Sequence, residues 1–296
     1  MAQPHLTPRL ALTEEAVTVL FCIVDDTYRL LNPRARRHES LKRLSDSEVL
    51  TLALLQQLRG IESERSFLRE AQRFFSHLFP GVVGLWPSSL NRRARGLRRF
   101  LEPLRRAVVP ELVGDPETLI ADSTLLAVLH PRQVKQSPAG FDGAAWARWG
   151  SFAVYGVKLH LLCATNRVPV SYELTPANVA EVLLVRELLA EAGLEEGVAR
   201  RLLGDLAYRS GALKEELAGR GVLLATERAE RRRGERQHVE VCFAALKRTF
   251  GLGETLAVTL VGLATRIAAK LTAHAYGCYV NRLLGRPQGR IKELWA

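Results

Sequence analysis

A mixed α/β sheet flanked by helices, preceded by an all-helical region, is the fold class predicted for this 296-residue chain. Three observations predict it. Residues 13 to 107 carry helical periodicity and helix-start signals throughout. From about residue 117 the composition turns to β-branched and apolar runs of strand length. Beyond them, short apolar runs alternate with amphipathic segments, the order that builds a sheet covered by helices.

In the helical region, "LSDSEVLTLALLQQLRG" opens with Ser45 and Glu48 at capping-box spacing and stops at Gly60. "SERSFLREAQRFFSHLFPG" starts near Ser63 and is predicted to run to Pro80-Gly81. After "LWPSS", a third helix places Leu90, Ala94, Leu97, Leu101 and Leu104 on one side and Arg92, Arg93, Arg95, Arg98, Arg99, Arg105 and Arg106 on the others. Pro103 predicts a kink or break within it. Short helices ending in an arginine-studded one resemble a helix-turn-helix, whose last helix meets DNA. The other reading is a bundle with a solvated basic face.

In the second region, "ETLIADSTLLAVLH" reads as a strand, "SPAGFDGAAWARWGS" as loop, and "FAVYGVKLHLLCA" with "RVPVSYEL" as a hairpin turning at Thr165-Asn166. "NVAEVLLVRELLAEAG" is a helix closed by Gly193. "RRLLGDLAY" is a short buried strand, "SGALKEELAGRG" a helix and "VLLATE" another strand. An arginine-rich loop, "RAERRRGER", leads to a helix opening at "RQHVEVCFAALKR", and a long helix from about 255 to 284 follows. The domain boundary falls near residue 110: residues 1–110 helical, residues 111–296 the α/β domain with its C-terminal helices.

Composition bounds the partners. With 42 Lys and Arg against 31 Asp and Glu, the net charge is +11. The excess is mostly arginine, suited to bidentate phosphate contacts, so a polyanion is expected. Basic residues spread over several segments favour nucleic acid over a membrane surface. The four cysteines have no metal-ligand spacing and sit among apolar neighbours, as buried thiols do in a reducing compartment. No signal peptide is evident, and Arg266 and Lys270 interrupt the most apolar stretch, so a cytoplasmic location without a membrane span is expected.

The helix at 236–248 raises the question of function. At 100° per residue, Val239, Phe243, Leu246 and Phe250 fall within about 60° of one another. Relative to Arg236, Glu240 lies at about 40° and Lys247 at about 20°, a charged line along one edge of that stripe. An ion-paired helix edge explains this locally. Two further acids suggest more. Asp122 sits within an apolar strand and Asp205 ends another, where an unpaired carboxylate is costly. Asp205 can instead cap the helix starting near Ser210, Asp122 can be a turn residue and Glu240 a surface acid. Taken together, three carboxylates without nearby His or Cys are hard oxygen ligands suited to Mg²⁺ or Mn²⁺. A pair of such ions about 4 Å apart serves phosphoryl transfer. Lys158 and His160 alternate on the second strand and are candidates to face such a site, with a structural role equally open for His160.

These residues resemble a DDE-type bacterial insertion-sequence transposase with a ribonuclease H-like catalytic domain. Asp on the first strand, Asp near the end of the fourth and Glu on a later helix match Asp122, Asp205 and Glu240 in element and order. The short interval between Asp205 and Glu240 leaves no room for the domain some relatives insert there. Arg236, Glu240 and Lys247 match most of a Tyr-x2-Arg-x3-Glu-x6-Lys signature, with Arg233 at the Tyr position. After the second Asp, Leu206-Ala207-Tyr208 keeps the Tyr and not the polar step common in relatives. "VYGVKLHLL", "TPANVAE" and "LSDSEVLTLALL" also resemble family segments.

The resemblance implies a transposase that cleaves DNA at insertion-element ends and transfers the strand to target DNA. Two ions, Mg²⁺ or Mn²⁺, would be held by the catalytic Asp122, Asp205 and Glu240. Arg236, Lys247 and Lys158, with Arg92, Arg93, Arg95 and Arg98, would bind DNA or position phosphate. Its partners would be double-stranded DNA, as terminal inverted repeats and target, and a second copy in a synaptic homodimer. It would act in the bacterial cytoplasm, at the nucleoid. The alternative is a non-catalytic DNA-binding protein, a decayed transposase or regulator.

Overall fold

The computed structural model describes residues 14–34, 39–136, 140–193, 200–227, 230, 234–254 and 256–291. Arg233 and most of the arginine-rich segment lie outside the described residues. The chain divides into two compact units, residues 1–105 with 272–296, and residues 106–271.

The first unit is helical: α1 (Glu14–Leu31), α2 (Asp46–Leu58), α3 (Glu64–Phe74) and α4 (Pro87–Leu97), with the start of α5 (Leu101–Val113) and the last part of α10 (Leu260–Leu283). Ser45 and Glu48 form the predicted capping box at the start of α2, and Ser63 caps α3. α3 ends at Phe74, short of the expected Pro80, and a separate 3₁₀ turn follows at Pro80–Val82. The break expected around Pro103 is a 3₁₀ turn at Arg98–Phe100. Pro103 itself falls in the first turn of α5, where its missing N–H costs no intrahelical bond. Val17, Leu20, Leu50, Leu54, Phe67 and Tyr276 are among the buried side chains. Arg105, read as part of a basic face, is instead buried and ion-paired to Glu102 at 2.6 Å.

The second unit is built on a six-stranded mixed sheet. Its strands are β1 (Thr118–Leu129), β2 (Ala145–Trp149), β3 (Phe152–Ala164), β4 (Pro169–Pro176), β5 (Arg201–Leu203) and β6 (Leu223–Ala225). β3 pairs antiparallel with β1 on one edge. Its other edge is shared end to end by β2, along Phe152–Gly156, and β4, along Val157–Cys163. β5 joins β1 in parallel and β6 joins β5 in parallel. With β2 set aside, the spatial order is β4-β3-β1-β5-β6, an antiparallel meander extended by two parallel strands, which is the ribonuclease H-like arrangement. β2 corrects the loop expected at 137–151. Its Ala-Trp-Ala-Arg-Trp alternation is strand-like, and the Gly-rich flanks hid it.

Around the sheet stand α6 (Pro131–Gln136), α7 (Val185–Glu191), α8 (Gly211–Gly219), α9 (Gln237–Arg248) and the first part of α10, with the rest of α5. The predicted helix at 178–193 begins as a 3₁₀ turn, Glu181–Leu184, before α7. Gly193 takes the left-handed φ of 68° that ends it. α9 packs on β1 and β3 through its predicted stripe, with Val239, Leu246 and Phe250 fully buried. Cys163, Cys242 and Cys278 are buried; Cys22 is exposed, contrary to expectation. Among the described residues no helix is long and apolar enough to cross a membrane.

Candidate active site

The site is assembled where β1 and β5 part. Their parallel pairing ends at Ile120 and Leu203, and two residues further along each strand direction stand Asp122 and Asp205. The two acids thus occupy equivalent positions just beyond the last paired residues of the parallel strands. The chain after Asp205 turns into a 3₁₀ element, Leu206–Tyr208, which Asp205 caps by accepting from the Ala207 N–H at 2.9 Å. The helix at 211–219 is capped by Ser210 instead.

α9 lies over the same face of β1 as Asp122. Arg236 approaches the Asp122 carboxylate at 3.6 Å, and Lys247 donates to the Thr124 hydroxyl at 2.9 Å. Thr124 is two residues from Asp122 and so on the same sheet face. Glu240 lies between these cations along the helix and is exposed.

Burial raises the Asp122 carboxyl above the usual carboxylate range. The Ser123 N–H, donated at 2.8 Å, and Arg236 oppose this, while the charges of Asp205 and Glu240 add to it. Like charges disfavour ionisation over short range, so a cation among these acids would relieve a stress already present. The donor set, carboxylate oxygens without thiol or imidazole, fits a hard divalent ion. As they stand, no three or more His, Cys, Asp or Glu side chains among the described residues are grouped closely enough to hold a metal ion. Asp122 is engaged by Ser123 and Arg236, and Asp205 by its own turn.

Tyr208 closes the 3₁₀ turn that follows Asp205. Its phenol is pushed up, first by burial and then by the charges of Asp122, Glu181 and Asp205. Its hydroxyl is buried without a hydrogen-bond partner among the described residues. Gly204 makes room for it: a Cβ there would lie 2.8 Å from the Tyr208 Cβ and Cγ. Gly204→Ala is expected to destabilise the protein by roughly 1–3 kcal/mol through overpacking. A denaturation midpoint equal to wild type would refute the close approach.

Other expected site residues are placed elsewhere. Across the β1–β3 register Lys158 pairs with Leu125 and His160 with Ser123, so both lie on the sheet face opposite Asp122. Lys158 does not extend toward the acids; it donates to the Val179 carbonyl and to Glu181, each at 2.7 Å. His160 is fully buried, hydrogen-bonded through Nε2 to Thr175 at 2.9 Å. Burial first, with Lys158 adding, pushes its pKa down to about 4, so it is neutral. In the first unit, Arg93 is turned inward to Asp46 at 2.7 Å and to the Leu44 carbonyl. Arg92, Arg95 and Arg98 are exposed. Glu181 was not anticipated as a site residue, although it lies in the "TPANVAE" segment.

A meander of three antiparallel strands extended by two parallel ones, with helices around it, defines the ribonuclease H-like class of fold. The family model "Transposase DDE domain" matches residues 113–276, and the chain belongs to this family of DDE transposases, enzymes that depend on divalent metal. No curated protein matches the chain. Among solved structures, a piggyBac transposase synaptic complex with hairpin DNA is 11% identical, with 97% of this chain and 78% of that chain covered and a TM-score of 0.46. A pre-cleavage Mos1 transpososome is 11% identical over 86% of this chain and 77% of that one, TM-score 0.33. The Mos1 mariner paired-end complex with Mn is 12% identical over 91% and 95%, TM-score 0.33. The assignment rests on the family match.

Proposed function

We propose that this transposase cuts DNA at the ends of an insertion element and joins the freed 3′-hydroxyl to target DNA. The observation that carries this reading is the match of residues 113–276 to the DDE transposase family, a segment in which Arg236 of α9 stands 3.6 Å from the Asp122 carboxylate. Asp122, Asp205 and Glu240 would hold two divalent ions, Mg²⁺ or Mn²⁺. Ions held by these residues would supply activation of the attacking oxygen and charge stabilisation of the leaving one. Arg236 and Lys247, on the α9 edge that faces Asp122, neutralise the phosphate being cut and orient its strand. Because Arg236 already balances Asp122 in part, its charge is available to a phosphate once the carboxylate is otherwise compensated.

The helical region, residues 1–110, serves to bind the terminal inverted repeats, with Arg92, Arg95 and Arg98 as its exposed cations. The protein acts on double-stranded DNA in the bacterial cytoplasm, as a homodimer that pairs two ends. Incubation with the flanking element ends and Mg²⁺, followed by mapping of the cut strands, tests this reading; uncut ends under those conditions count against it. Arg92→Ala and Arg95→Ala are each expected to weaken binding and flatten its salt dependence by about 0.9 log units per lost phosphate contact. An unchanged slope in a titration of 50 to 200 mM salt would exclude these arginines from the interface.

A further inference from the structure

The segment of β1 that carries Asp122 is held unevenly. On one edge it has continuous pairing to β3, Asp122 opposite Leu161 and Ser123 opposite His160. On the other edge its pairing to β5 has already ended at Ile120. A strand with one free edge lacks half of its ladder, yet a metal-holding carboxylate needs a fixed backbone.

A compensating fixture lies on the opposite sheet face. The Ser123 hydroxyl donates to Glu181 Oε1 at 3.2 Å, and the Lys158 ammonium donates to the same oxygen at 2.7 Å. Lys158 is tied down further by the Val179 carbonyl at 2.7 Å. The Lys158 and Glu181 side chains are only 11% and 22% exposed. Such a pair gives little net stability, because desolvation offsets attraction, so its use is geometric. Glu181 opens a 3₁₀ turn that packs against the one at Leu206–Tyr208, directly after Asp205. One carboxylate thus links β1 to β3, on a turn that itself packs against the one following the second aspartate.

We propose that Glu181 is a positioning residue for the acid cluster. Through Ser123 it locks the half-paired β1 segment, with Lys158 as an internal strut. The proposal rests on the reading of Asp122 as a metal ligand.

The test measures Mn²⁺ affinity of the full-length protein without DNA, by the loss of the free-ion paramagnetic resonance signal, beside its thermal midpoint. Glu181→Ala is expected to weaken Mn²⁺ binding by about 10-fold or more, the scale of lost outer-shell support. Glu181→Gln keeps an acceptor for Lys158 and Ser123 and is expected to recover most of that loss. Ser123→Ala removes only the link to β1 and is expected to weaken binding by about 3-fold or more; it decides the matter if Glu181→Ala does not fold. Folded Glu181→Ala protein with wild-type affinity overturns the proposal, as does an unaffected Ser123→Ala. Asp122→Asn separates the two levels. If it too binds Mn²⁺ like wild type, the metal reading fails; if it alone loses binding, only the role of Glu181 fails.

Discussion

Asp122→Asn, Asp205→Asn and Glu240→Gln proteins are each expected to bind element-end DNA while losing Mg²⁺-dependent cleavage by at least about 10³-fold, equivalent to about 4 kcal/mol of activation free energy. The amide keeps the size of the carboxyl and removes its charge, so the loss reads the charge itself. Asp122 offers a second signature. Its carboxyl is raised by burial and by the neighbouring acids. A raised acid is harder to ionise in the folded than in the unfolded chain, so its charge costs stability at neutral pH. Asp122→Asn should therefore melt at or above the wild-type temperature while inactive, as happens where function opposes stability. End-labelled strand mapping together with calorimetry checks both. A single variant that retains wild-type cleavage would remove that residue from the cluster.

Acidification is expected to reduce the stability of the protein through His274, with a loss of about 3 kcal/mol as the pH falls from 6.5 to 4. This side chain is 4% exposed, and burial pushes its pKa down from 6.5 to about 4. Between those values the unfolded chain binds a proton that the folded one refuses. Stability is thus complete above pH 6.5 and lost progressively toward pH 4. His160, also depressed to about 4, adds a similar dependence in the sheet unit. His274→Leu should flatten the profile over this window, measured as denaturant midpoints at successive pH values. A slope as steep as wild type would show that other groups carry the acid sensitivity.

Much of the architecture was legible because local rules and burial agreed. Ser45 and Glu48 announce the capping box that is formed. The stripe Val239, Phe243, Leu246 and Phe250 faces the core as its period requires. β2 was missed because five residues between glycine-rich flanks carry too little pattern. The ion-paired members of the arginine set were missed for a different reason. Arg93 has the same chemistry as Arg92 and Arg95, and only its acidic neighbour in space, Asp46, distinguishes it; Arg105 pairs with Glu102 three residues before it, and its burial is what the local pattern did not reveal.

The sequence by itself determined the identities and order of the acids, the charged line on α9 and the class of sheet. These depend on residue type and periodicity, which are local. Tertiary structure alone decided which face each strand residue shows and what it meets there. The β1–β5 pairing ends two residues before both Asp122 and Asp205, whereas the β3 register sends Lys158 to the far face and to Glu181. Strand alternation reverses direction with each residue, so the face follows from pairing, and pairing is settled by contacts between segments far apart in the chain.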